Sequence, residues 1–222
     1  MKGVTMLLVL SQASFVKTGS HSLWAFSTLI YGETQFPEFS VVVMVDDVQV
    51  LFYDSNVGSV VSRSQTNSTD GADKAIHTGC NFAASHIQNS MKRRSQHIKL
   101  QSNHTEGVHV YQRMAGCVLD NDKESKIMEW DAYDGMEAMS YNMQNSTFNS
   151  LWPELVWNLR KEEVVLVRFK TLYQPICIQT LKHYLRKDKN IVLRREHPRV
   201  RLLHNTHTDT GEVKVRCLAT GF

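Results

Sequence analysis

The stretch Asp70-Gly71-Ala72-Asp73-Lys74-Ala75-Ile76-His77-Thr78-Gly79-Cys80-Asn81-Phe82-Ala83-Ala84-Ser85-His86-Ile87-Gln88-Asn89-Ser90-Met91 continues to about Gln101 without a proline. Within it Ala72, Ile76, Gly79/Cys80, Ala83, Ile87 and Met91 recur every three or four residues, which is one apolar stripe along a long helix. The opposite face, with Lys92, Arg93 and Arg94, is expected to meet solvent. Upstream, residues 23–31, 38–45 and 48–53 are rich in Val, Phe, Leu and Ile. They are separated by residues 32–37 and by Asp46-Asp47, so they read as three antiparallel strands.

The second half repeats that order. Residues 108–119, 126–133 and 137–143 are strand-like, with turns at residues 120–122 and at Asp134-Gly135. A helix then begins near Pro153, a favourable first-turn residue. Leu155, Leu159, Val164, Val167 and Leu172 lead to Pro175, which should break or kink it before Ile178, Leu181 and Leu185 continue the stripe. Strands followed by a long helix, twice over, describe an α+β platform in which sheet faces and helix stripes bury each other. From His197-Pro198 onward the alternation in residues 199–202 and 213–217, around a polar turn at residues 205–211, begins a third domain. About 25 residues cannot close a sandwich that takes about 100, so this part is expected to be an incomplete domain or a poorly ordered tail.

Composition narrows the function. With 42% hydrophobic and 21% charged residues, the chain can bury a full core. The 25 basic and 22 acidic residues leave a net charge of +3 without long runs of one sign, so a nucleic-acid partner has no electrostatic footprint. Met1 and Lys2 precede the apolar run of residues 4–10, which reads as a signal peptide over residues 1–19. Asn67, Asn103 and Asn145 each open an Asn-x-Ser/Thr triplet and are candidate glycosylation sites in that compartment. The four cysteines allow three disulfide pairings. No His-Glu-x-x-His, Gly-x-Ser-x-Gly or phosphate loop occurs, so neither an enzyme, a metal site nor a cofactor is expected.

Several segments carry a family resemblance. Gly19-Ser20-His21-Ser22-Leu23, Val45-Asp46-Asp47-Val48-Gln49, Tyr111-Gln112-Arg113-Met114-Ala115-Gly116-Cys117, Tyr133-Asp134-Gly135, Cys177 to Tyr184-Leu185, and Val215-Arg216-Cys217-Leu218-Ala219-Thr220-Gly221-Phe222 resemble MHC class I heavy chains, in the same order. The resemblance implies an antiparallel sheet carrying two long helices with a groove between them, followed by the start of an immunoglobulin-like β-sandwich. It divides the chain into a first platform domain (20–106), a second (107–196) and an immunoglobulin-like segment (197–222) cut short at Phe222. It implies a bond between Cys117 and Cys177, and a partner outside this chain for Cys217. Asn103 falls where the family carries a glycan. Cys80 has no counterpart there and reads as a small buried hydrophobe on the helix stripe, the alternative being a reactive or ligand-facing thiol.

The resemblance also implies a β2-microglobulin light chain, a T-cell or natural-killer-type receptor, and a place on the extracellular side of the plasma membrane. Conventional peptide presenters hold peptide ends with a fixed set of polar side chains, because buried charged termini are costly without partners. Here Ala25 and Leu172 stand at two tyrosine positions, with Tyr173 one place out of register. Thr180 replaces a wall tryptophan, and Tyr184 alone is kept. Conventional peptide binding is therefore not expected. If strand alternation follows the family, Ala25, Ser27, Phe39, Val41, Tyr111, Arg113, Glu129 and Asp131 face the groove, with Tyr184 beside them. Arg113 with Glu129 and Asp131 would then either bind a polar ligand or pair with each other beneath closed helices. The expected function is immune recognition or antigen presentation with a non-peptide, small-molecule or lipid ligand. The alternatives are a closed-groove protein that binds a receptor or transported protein, and a truncated product that is not displayed.

Overall fold

The computed structural model describes residues 20–63, 71–102, 106–120, 123–142, 147–150, 167–192, 199–206 and 213–220. Asn67, Asn103 and Asn145, the signal segment and the helical start at Pro153 lie outside the described residues. In chain order the elements are β1 (Ser20–Tyr31), β2 (Phe39–Val45), β3 (Val48–Asp54), β4 (Val61–Ser62) and α1 (Gly71–Gln101). There follow β5 (His109–Asp120), β6 (Lys123–Tyr133), β7 (Met136–Asn142) and β8 (Thr147–Ser150). A π-helical turn (Phe169–Tyr173) runs into α2 (Gln174–Lys187), then come α3 (Lys189–Val192), β9 (Arg199–Thr206) and β10 (Val213–Thr220).

The first eight strands form one antiparallel sheet in the order β4-β3-β2-β1-β5-β6-β7-β8. β1 and β5 pair along their whole lengths, from Ser20 opposite Asp120 to Tyr31 opposite His109, and so join the two repeats into one floor. The edge strands β4 and β8 are short and were not legible as strands in the sequence. Shortness at an edge limits unwanted pairing with other chains.

The two halves carry the same turn device. Asp46 and Asp47 adopt positive φ angles of 45° and 69°, and Asp134 and Gly135 adopt 49° and 78°, the primed-turn geometry that matches strand twist. Asp46 Oδ1 accepts the Ser22 N–H at 2.8 Å, and Asp134 Oδ1 accepts the Val110 N–H at 2.8 Å. His21 bonds Asp46 Oδ2, and His109 bonds Asp134 Oδ2.

Helices cover one face of this floor. Met91, Ile98 and Ala84 of α1 pack on Leu29, Phe39 and Tyr111. Ile178, Leu181 and Tyr184 of α2 pack on Leu23, Leu51 and Cys117. Along α1 the stripe expected from the sequence holds from Ile76 to Met91, with two corrections. Ala72 is exposed while Asp73 beside it is buried, and Arg94 is buried rather than solvated. Both exceptions are polar groups that find ionic partners inside the platform, so the apolar stripe alone does not mark the buried face. Pro175 does not break the helix but widens it. Its ring would clash with the carbonyl four residues back and it has no N–H to donate there, and the preceding turn is π-helical, with the Gln174 N–H bonded to the Phe169 carbonyl.

Cys117 on β5 and Cys177 on α2 form a disulfide that ties the helix to the floor. On the uncovered face, Trp24 lies over Gly116 and meets Trp130 with ring centroids 5.9 Å apart. A Cβ at Gly116 would fall on the Leu23 carbonyl and the Trp24 ring. β9 and β10 form a separate two-stranded hairpin with Val200, Leu202, Val215 and Leu218 exposed.

Two stability outcomes follow from this packing. Gly116→Ala should lower the unfolding free energy by about 1–3 kcal/mol, because the β1–β5 backbone must shift to admit the methyl; thermal denaturation would read it as a lower midpoint. Replacing both Cys117 and Cys177 by Ala should cost about 2–5 kcal/mol, the usual range for losing a native bridge around a loop of this length. Urea titration would check this, and an unchanged midpoint would mean that the bridge adds nothing to the helix–floor packing.

Candidate functional site beneath the two helices

Four charged side chains meet under the helices. Asp131 Oδ1 accepts Arg113 Nε at 2.7 Å. Asp131 Oδ2 accepts Arg113 Nη2 at 2.7 Å, Arg94 Nη1 at 2.6 Å and the Tyr111 hydroxyl at 2.6 Å. Glu129 Oε1 accepts Arg94 Nη1 at 2.8 Å and lies 3.2 Å from Arg113 Nη2. Arg113 Nη1 also donates to Ser90 Oγ at 3.0 Å. Two guanidiniums face two carboxylates, so the formal charges cancel in a buried site. Burial alone would raise the Asp131 pKa, but Arg113 and Arg94 outweigh it and hold the carboxyl below its ordinary value. Burial pushes the Tyr111 hydroxyl well above its ordinary value, and Asp131 adds to the rise, so Tyr111 acts as a donor.

Beside this quartet lies an apolar cavity of about 110 Å³. Its floor includes Ala25, Val41, Ala115 and Glu129, its α1 wall Cys80, Ala83 and Ile87, and its α2 wall Phe169, Tyr173 and Thr180. Small side chains on facing elements leave this space. Of the residues that the sequence assigns to the groove, Ala25, Val41, Arg113 and Glu129 line the cavity, while Ser27, Phe39, Tyr111, Asp131 and Tyr184 do not. Phe39 and Tyr111 are sealed under α1 by Met91 and Ile98. Ser27 is buried opposite Arg113 in the sheet, Asp131 is covered by its arginines, and Tyr184 is sealed into the α2 core.

Sequence reading missed two contributors. Arg94 stands among three consecutive basic residues, and only the tertiary fold shows which of them turns inward. Tyr173, one place out of register by counting, lines the cavity at the end of a π-turn, which holds one residue more than an α-helical turn.

One end of the cleft is strapped shut. Asp73 of α1 accepts His183 Nε2 at 2.6 Å and Lys187 Nζ at 2.7 Å, both from α2. One step along, Cys80 Sγ lies 3.7 Å from Thr180 Oγ1. Burial raises the Cys80 thiol above its ordinary pKa, which keeps it protonated and poorly nucleophilic.

A floor of eight antiparallel strands carrying two helices, with a cleft between them and an appended β-hairpin, defines a recognition platform followed by strands of an immunoglobulin-like domain. Residues 19–192 match the family described as Class I Histocompatibility antigen, domains alpha 1 and 2. The chain belongs to that family and is an MHC class I-like heavy chain. It is 26% identical to the Patr class I histocompatibility antigen, CH28 alpha chain, of Pan troglodytes, over 92% of this chain and 60% of that one. It is 26% identical to the H-2 class I histocompatibility antigen, Q10 alpha chain, of Mus musculus, over 98% of this chain and 69% of that one. Zinc-alpha-2-glycoprotein of Mus musculus is 24% identical, over 99% of this chain and 72% of that one. The match thus spans 60% of the length of the chimpanzee relative.

Removing the charge of Asp131 should be far more costly than breaking a surface pair. Asp131→Asn leaves two buried guanidiniums short of a counter-charge and should cost about 3–5 kcal/mol. Lys92→Ala removes the exposed Lys92–Glu38 pair and should cost less than about 1 kcal/mol. Because the folded Asp131 pKa is depressed, its stabilisation is present in full above the ordinary carboxylate value of 3.8 and is lost as pH falls through the lower folded value. Unfolding curves of the wild type and Asp131→Asn measured from pH 7 to pH 2 should therefore converge only at the acid end.

Proposed function

We propose that this chain is an immune-recognition protein of the class I type whose groove does not present conventional peptides, and that partners read it from the outer surface of its platform. The observation that carries this reading is the strap: Asp73 joined to His183 and Lys187, with Cys80 against Thr180, closes one end of the cleft. The apolar cavity between the helices is about 110 Å³, well below the roughly 300–1,000 Å³ of pockets that enclose drug-sized ligands. The charged groups on the floor pair mainly with one another, which supports the closed reading over a site for a charged ligand. A second reading, a small or lipid ligand in the groove, rests on the apolar lining of that cavity.

The family relationship supports a β2-microglobulin light chain as partner, and the uncovered face of the sheet offers it a surface. Trp24, Phe26, Met114 and Trp130 lie there, and Phe26 is 40% exposed. A T-cell or natural-killer-type receptor would approach the helices from the other side. The signal-like N-terminus and the Asn67, Asn103 and Asn145 triplets support a place on the extracellular side of the plasma membrane, with domains at 20–106, 107–196 and 197–222 and a bridge from Cys217 to a residue outside this chain.

Co-expression with β2-microglobulin in mammalian cells, native mass spectrometry of the secreted complex and acid elution would test the proposal. The expected outcome is a heterodimer that releases no reproducible set of peptides. Recovery of a consistent population of short peptides would overturn the closed-groove reading, and failure to pair would remove the light chain from it.

A further inference from the structure

Glu129 is 4% exposed and lines the cavity. Both of its close guanidinium contacts use Oε1. Among the described residues no donor reaches Oε2, whereas both oxygens of the neighbouring Asp131 are occupied. A carboxylate oxygen without a donor in a buried side chain is costly, and Glu129 borders an apolar void that leaves room for one. The walls add two groups of modest polarity: the Thr180 hydroxyl, shared with Cys80, and the Tyr173 ring.

We infer that the cavity binds a small, mainly apolar, electrically neutral molecule bearing one hydroxyl or N–H donor, which it places on Glu129 Oε2. Size sets the scale, since a dry apolar cavity of roughly 150 Å³ holds benzene, so about 110 Å³ admits a single small ring or a short branched chain. Charge sets the class. Arg94 and Arg113 stand on the other oxygen of the same carboxylate and already neutralise the two acids. A cationic ligand would meet two guanidiniums at short range, and an anionic one would meet the carboxylate itself. A neutral donor completes the carboxylate without unbalancing the site, and a hydrogen bond to a charged acceptor is among the stronger kinds. This assignment rests on the closed-groove reading above, because a peptide-filled cleft would occupy the same space.

The test uses the intact chain and three probes of similar size: p-cresol, p-xylene and benzylammonium chloride, titrated by calorimetry. The expected result is that p-cresol binds at least tenfold more tightly than p-xylene, with benzylammonium weaker than p-cresol. In Glu129→Gln, which is isosteric but turns an N–H₂ toward the cavity, the preference for p-cresol should fall severalfold. Ala83→Leu, which fills the void from the α1 wall and is not a strand neighbour of Glu129, should abolish binding of all three while the thermal midpoint stays level or rises. Equal affinity for p-cresol and p-xylene, tightest binding of the ammonium, binding that survives Ala83→Leu, or no binding of any probe at millimolar concentration by the folded protein would each overturn the inference. Peptide elution is an independent readout, so failure of the closed-groove reading would show there and not in the discrimination between probes.

Discussion

Asp131 is the point on which the interior of this platform turns. A carboxylate in the middle of a sheet face, covered by a helix, would be prohibitively costly alone, and it is tolerated because Arg113 from the next strand, Arg94 from the helix above and the Tyr111 hydroxyl all donate to it. Those donors come from two elements besides its own strand. The ion cluster therefore fixes where α1 sits over the floor with a directionality that apolar contact lacks. Glu129 sits beside it as the second acid that two arginines require. The quartet accordingly works as a register pin more than as a source of net stability, since buried ion pairs recover little beyond their own desolvation.

Around that pin the fold is a near-repeat with unequal halves. The offset from His21 to His109 equals that from Asp46 to Asp134, and each Asp caps the N–H of the residue next to its histidine. The same turn chemistry thus anchors both repeats, and the β1–β5 pairing joins them through the centre. The helices differ more. α1 is continuous over Gly71–Gln101, while the second helix passes through a π-turn to accommodate Pro175 and is bound to the floor by the Cys117–Cys177 bridge. That asymmetry places Tyr173 and Phe169 over the cavity and lets α2 reach Asp73.

The close approach of the two helices at one end of the cleft follows from side-chain size and charge. Ala25, Ala83 and Ala115 surrender volume, yet Thr180 and Cys80 are small enough for the helices to approach, and Asp73 draws two basic groups across the gap. Among the described residues the result is a small apolar void under the helices, bordered by Glu129.

Taken alone, the sequence determined the architecture. Strand periodicity, the Asp46-Asp47 and Asp134-Gly135 turns and the apolar stripe from Ile76 to Met91 are local patterns set by backbone geometry, and repeating them twice leaves few ways to bury both helix stripes. The short edge strands β4 and β8 escaped because a few residues at an edge carry too little alternation to read. What only the tertiary structure decided is which charges turn inward. Lys92, Arg93 and Arg94 are equivalent by composition, and Asp73 looks like an ordinary first-turn acid. Whether Arg113, Glu129 and Asp131 await a ligand or satisfy one another depends on a fourth group, Arg94, brought from a distant helix. Pairing of buried charge is a non-local property, settled by distances of a few ångströms between elements that sequence spacing does not encode.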